Sequence, residues 1–364
     1  MGTTGSFGTG TVAISSGAFV DFKRSNSYIC ANVISGAGKV RNISTGPVIL
    51  TASNSYTGGT DITAGTMGFA SGGMGSSGAV TLTAGTTLRW YSGNTQDISS
   101  RIVFASGANA IEVDSGSVTF ATTISNSAVE LQKKGSGKLI LGGPNTVLYS
   151  LTVTAGTLCI GDGDNGVSFS AGNLISIASG ATLEVNESTS FIISDNISGA
   201  GGVKIASTGT VILSGATVAY TGLTEVYSGT LSVGCDLSSN IAVRSGATLK
   251  ARNNTTDVTV QVITFDSGSI FSFTITATPD AGIIRAGAVV ASSGATATLS
   301  VPTGNYTIGV DIPLLEYTSL TGSFVGFLDG DLFPTLGLAP PYASQWQVVY
   351  NYGGLNIIAL VAIA

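Results

Sequence analysis

The side chains best suited to chemistry in this chain are carboxylates, because it contains no histidine. Glu112 and Asp114 stand two apart in an alternating segment. On an extended strand they share one face about 6.6–7 Å apart. That lies in the range of inverting glycosidases, about 6.5–9.5 Å, and beyond the ~5–5.5 Å of retaining ones. Glu184 and Asp195 form a second pair if neighbouring turns of the chain bring them together. Acidic residues at alternate positions also mark the solvent face of any half-buried strand. That plainer reading is adopted, so no catalytic residue is expected. Asp162-Gly163-Asp164-Asn165 offers oxygen ligands for calcium, with Asp162 and Asp164 as the metal candidates. It lacks the EF-hand spacing and terminal Glu, and it reads equally as a plain turn.

The remaining reactive classes fall away. Without His, neither Ser-His-Asp nor Cys-His catalysis is available. No phosphate-binding G-x-x-x-x-G-K-[ST] motif occurs, and no cofactor is expected. Net charge is −6, and the nearest basic cluster is Lys133, Lys134 and Lys138, read as solvated turn residues. Nucleic acid is therefore not an expected partner. Cys30, Cys159 and Cys235 are odd in number, widely spaced and set in apolar runs, which predicts core packing rather than disulfides or a metal site. The start shows no basic-then-apolar secretory leader, and the apolar run 357–364 is too short to cross a bilayer. Membrane insertion is not expected. Met-Gly at the start with Ser6 fits a myristoylation pattern but reads better as a Gly-rich turn. Asn-x-Ser/Thr triplets at Asn42, Asn186, Asn196, Asn253, Asn254 and Asn305 are attributed to the abundance of Ser and Thr.

The elements that position these residues follow from composition and period. Charged residues make up 9% and glycines number 51 of 364, which leaves few helix formers. One phrase returns along the chain: a small residue, Gly, a small residue, then apolar residues alternating with others. It is found at Gly17, Gly65, Gly85, Gly107, Gly116, Gly156, Gly180, Gly229, Gly246, Gly268 and Gly294. Most spacings, missing copies allowed for, fall near ~20 residues, too short for a unit to bury its own apolar face. Stacking successive units solves this and predicts an all-β, right-handed parallel β-helix (solenoid) over 1–300. Gly65, Gly156 and Gly229 are expected at equivalent corners, and helix at less than about 5%.

A longer repeat overlies the short one. Ile34–Phe69 and Ile197–Val233 share Ile-Ser-Gly-Ala-Gly, Ser-Thr-Gly-x-Val-Ile-Leu and Tyr-Thr-Gly. A weaker copy spans Gly135–Gly161 and lacks the Tyr-Thr-Gly-Gly-Thr turn. These segments resemble the passenger-associated transport repeat, the autotransporter-associated β-strand repeat of bacterial surface proteins. The resemblance implies a parallel β-helix. Five of the eight prolines lie in the last 64 residues, so 301–364 is expected to be a C-terminal β cap and contact region, with Trp346, Tyr350 and Tyr352 as contact residues.

Three functions remain, from different classes. The foremost expectation is a non-enzymatic structural protein of a virion (phage), such as a fibre, spike or capsid-decorating subunit, since no export leader and no membrane barrel are seen. The alternative is the passenger of an autotransporter-like bacterial surface adhesin. The third is a glycan-cleaving tailspike-type enzyme. Location would be the virion surface, or the extracellular bacterial cell surface. Partners would be other protein subunits of an assembly, or a host surface glycan or protein. The low charge and a mean hydropathy of +0.43 point to a surface covered by neighbours, and hence to an oligomer or larger assembly.

Overall fold

The computed structural model describes residues 2–144, 146–164, 166–172, 174–251, 257–274, 283–300, 311–334 and 345–363. They form two units, Met1–Glu184 and Val185–Ala364. Among the described residues, helix is limited to two short 3-10 turns, Ser99–Arg101 and Tyr352–Gly354. The strands stack as a parallel β-solenoid, as the repeat predicts, with antiparallel pairing towards the C-terminal end.

In the first unit each turn lays short strands onto those of the turn before. Phe19–Phe22, Lys39–Asn42, Thr60–Ile62, Val80–Leu82 and Ile102–Phe104 form one parallel stack. Their register runs Val20, Val40, Thr60, Val80, a step of one repeat each time. A second stack runs from Tyr28–Cys30 to Leu174–Ile177, and a third from Ser117–Phe120 to Thr157–Ile160. Period-2 alternation turns every second side chain inward, and the fixed register sets those side chains in columns. Cys30, Leu50, Phe69, Trp90 and Val113 make one such column, all buried. The Trp90 ring lies 4.9 Å from that of Phe69 and 5.3 Å from that of Phe120. Each such large apolar side chain contributes about 1.5–3 kcal/mol on burial. Cys30 and Cys159 are buried free thiols, as core packing requires, whereas Cys235 is only half-buried.

The Thr that closes many strands has a local cause. Thr51, Thr63, Thr83 and Thr154 donate their hydroxyls to the carbonyls of Cys30, Asn42, Ile62 and Lys133 on the turn below. Charges pair along the stacks in the same way. Arg41 forks onto Asp21 at 2.6 Å, and Lys39 meets Asp61 at 3.0 Å.

The second unit, taken by itself, shows the same pattern. Gly202–Leu213, Thr224–Val233, Val258–Phe265, Ile284–Ala291 and Asp311–Thr321 are successive parallel rungs, with Ile241–Val243 set between the second and third. Arg244 joins Glu225 to Asp266, and Arg285 joins Asp257 to Glu316. Parallel pairing reaches Thr321. Pro313, which lacks an N–H, lies where the register of this last rung shifts. Direction then reverses: Asp311–Thr321 pairs antiparallel with Ile357–Ile363, which pairs antiparallel with Gln345–Tyr350, and that with Leu332–Pro334. Phe324 and Phe327 of the connecting turn close over the column of Phe265, Phe271 and Phe273.

Candidate functional site

The paired carboxylates are engaged by a cation one turn below. Arg89 donates to Asp114 in a bidentate fork, 2.7 and 3.0 Å, and lies 3.5 Å from Glu112. The hydrogen bond to Asp114, then burial and the charges of Asp114 and Glu112, set the guanidinium's affinity for its proton, which is raised. The two acids and the arginine form one ion cluster. Glu184 and Asp195 fall in different units. Within the first unit Glu184 accepts from Lys138 Nζ at 2.8 Å. The Cys159 thiol, 3.8 Å from Glu184, is pushed up to about 12, by burial first and by that carboxylate second. A thiol so held is a poor nucleophile at neutral pH.

Asp162 and Asp164 are exposed on their turn. The Asp164 amide donates to Asp162 Oδ1 at 3.2 Å, an Asx turn that uses the carboxylate locally. Asn165 lies outside the described residues. Among the described residues no group of three or more His, Cys, Asp or Glu side chains is placed to hold a metal ion. Of the triplets, Asn42 is buried and donates to Ala64 and Thr66 carbonyls, while Asn253, Asn254 and Asn305 lie outside the described residues.

Lys133 corrects the reading of the basic cluster. It is fully buried, not a solvated turn residue, and its Nζ donates to the carbonyls of Lys134, Gly135 and Ala155 at 2.8, 2.9 and 3.2 Å. The strand Ser125–Lys134 turns Val129, Leu131 and Lys133 inward together. Only the tip of the long side chain reaches polar groups, at the corner of the turn.

The proposed contact residues divide. Trp346 is fully buried in the cap, so its ring serves the core. Tyr350 is half-buried and donates its hydroxyl to the Phe327 carbonyl at 2.8 Å. Tyr352 is half-exposed on the 3-10 turn. The strongly exposed apolar side chains of this region are Val325, Leu328, Leu332 and Leu355.

The repeat motif builds the most distinctive constellation. Tyr56 is buried, with its hydroxyl 2.7 Å from Thr60 Oγ1. Tyr220 repeats this with Thr224 at 2.6 Å, and Thr224 in turn meets Ser239 at 2.5 Å. In the weaker copy Leu148 is the buried counterpart, so the hydroxyl pair is lost and apolar packing replaces it. Gly65, Gly156 and Gly229 occupy equivalent corners at φ of +58°, +62° and +72°. A Cβ on each would lie about 2.5 Å from the carbonyl of Ser44, of Gly135 and Gly137, or of Ser207 on the turn below. Sequence reading located this motif but missed the buried hydroxyl pair, whose signal is the fixed Tyr-x-x-x-Thr spacing.

A solenoid whose corners and core are set by such a motif is a parallel β-helix repeat protein. Residues 44–67, 131–160 and 206–233 match the family described as Passenger-associated-transport-repeat. These are the three segments carrying the Gly corners and, in two of them, the buried Tyr–Thr pair just described. A repeat tied to passengers and their transport implies an extracellular or cell-surface protein. Among curated proteins nothing matches the chain.

Proposed function

We propose that this chain is passenger material of an autotransporter-like bacterial surface protein, acting as a rigid, non-enzymatic scaffold that presents its faces outside the cell. The observation that carries this reading is the threefold repeat match on stacked parallel strands. The clamping of Glu112 and Asp114 by Arg89 supports a structural rather than a catalytic role for the best carboxylate pair. The virion reading gains no support from the repeat. Partners are then other surface proteins or a host surface glycan or protein. Exposed Val325, Leu328, Leu332 and Leu355 in the cap favour a protein neighbour there.

The test is antibody labelling of intact producing cells, with protease added from outside. Labelling of unpermeabilised cells that the protease removes is expected. Labelling only after permeabilisation, or co-purification of the chain with virus particles, overturns the reading.

A further inference from the structure

The first stack of strands ends at Ile102–Phe104, which is its edge among the described residues. Gly107 pairs in parallel with Val129, and before that pair Asn126 lies one turn on from Phe104, its side chain within reach of the Phe104 carbonyl. Ile102–Phe104 pairs with Val80–Leu82 on one side, and Ser125 and Asn126 pair with Val147 and Leu148 on the other. Between Ile102–Phe104 and Ser125–Asn126 the described residues show no backbone ladder. A cavity of ≈ 230 Å³ lies there, lined by both edges together with Ser99, Phe120 and Thr123.

The core is open at this split. Val80 and Leu82 hold inward positions and are fully buried. Ile102 and Phe104 hold the same positions one turn later and are only half-buried. Main-chain direction completes the picture. The Ala105 amide donates to Leu82, so Phe104 turns its own N–H and C=O away from that neighbour and into the cleft. A side-chain amide stands in there for a peptide group. Asn126 Nδ2 donates to the Phe104 carbonyl at 3.2 Å, while its Oδ1 accepts from the Ala128 amide at 3.1 Å.

We propose that this cleft receives an extended segment of a partner polypeptide, which displaces the Asn126 amide, pairs with the Phe104 edge and lays one aliphatic side chain over Ile102 and Phe104. The chemistry selects a peptide. Unpaired strand edges are satisfied by another backbone. Phe120 is 1% exposed and offers no open ring face for a sugar.

The probe is the pentapeptide acetyl-Thr-Val-Thr-Val-Thr-amide, compared with the same peptide N-methylated at both valines, by amide NMR of the whole chain. At millimolar concentration the first is expected to shift the Phe104 and Ala128 amide signals and slow exchange of the Phe104 N–H at least about fivefold. The second is expected to do neither. Asn126→Ala, which removes the internal competitor, is expected to tighten binding at least about threefold. No shift with the first peptide, equal shifts with both, or the same shifts with maltose alone would overturn the proposal, as would weaker binding by a folded Asn126→Ala. The wild-type comparison decides the matter even if the variant does not fold.

Discussion

At the scale of single residues, the buried ammonium of Lys133 has a measurable consequence. Burial pushes it down to about 8, against about 10.4 for a lysine in an unfolded chain. Between those values the unfolded chain holds a proton that the folded chain lacks. Stability therefore rises as pH climbs from about 8 to about 10.4 and is insensitive to this group below that window. The full rise is on the order of a few kcal/mol. Urea unfolding across this range should show the rise in the wild type. In Lys133→Met the component from this site should vanish, leaving a flatter profile. An equal slope in both proteins would place the ammonium in water rather than among its three carbonyls.

The corner glycines set the outcome at the scale of the element. Gly156 combines φ of +62° with carbonyls of the turn below about 2.5 Å from where a Cβ would stand. Gly180 has φ of +77° with nothing within 4 Å. An alanine at Gly180 meets only the cost of a left-handed backbone, roughly 1–2 kcal/mol. At Gly156 it must also push two turns apart. Gly156→Ala should therefore lower the urea midpoint clearly more than Gly180→Ala does. Equal losses would mean that the corner tolerates a wider spacing than the stacked strands suggest. The same close approach explains why Gly65, Gly156 and Gly229 recur in all three matched segments, the weaker copy included, whereas solvent-facing corners use glycine for conformation alone.

Nearest-neighbour stacking governs the whole molecule. Backbone pairing joins each rung mainly to the rungs beside it, so stability is close to a sum of local terms and need not be lost all at once. The two tryptophans allow this to be read, because Trp90 is buried in the first unit and Trp346 in the second. Unfolding followed by fluorescence in Trp346→Phe reports the first unit, and in Trp90→Phe the second. The two variants are expected to give different urea midpoints, with far-UV circular dichroism of the wild type spanning both. Coincident midpoints in all three records would show one cooperative block and would remove the local-sum account.

Strands, corners and repeat are legible in the run of residues alone. Alternation, glycine at φ > 0 and a ~20-residue period are each local properties, and like residues stack because each turn repeats the last. Lys133 is legible there too: Val129, Leu131 and Lys133 share one strand face, which sets the lysine inward. Only the tertiary structure decided what lies one turn above or below a given side chain. That Arg89 clamps Asp114, that Lys138 reaches Glu184 across two turns, and that the ladder parts between Phe104 and Asn126 all depend on contacts 20 or more residues apart. Small differences in turn length shift which residues meet, so the identity of a cross-turn partner is set by the stacked coil and not by the local run of residues.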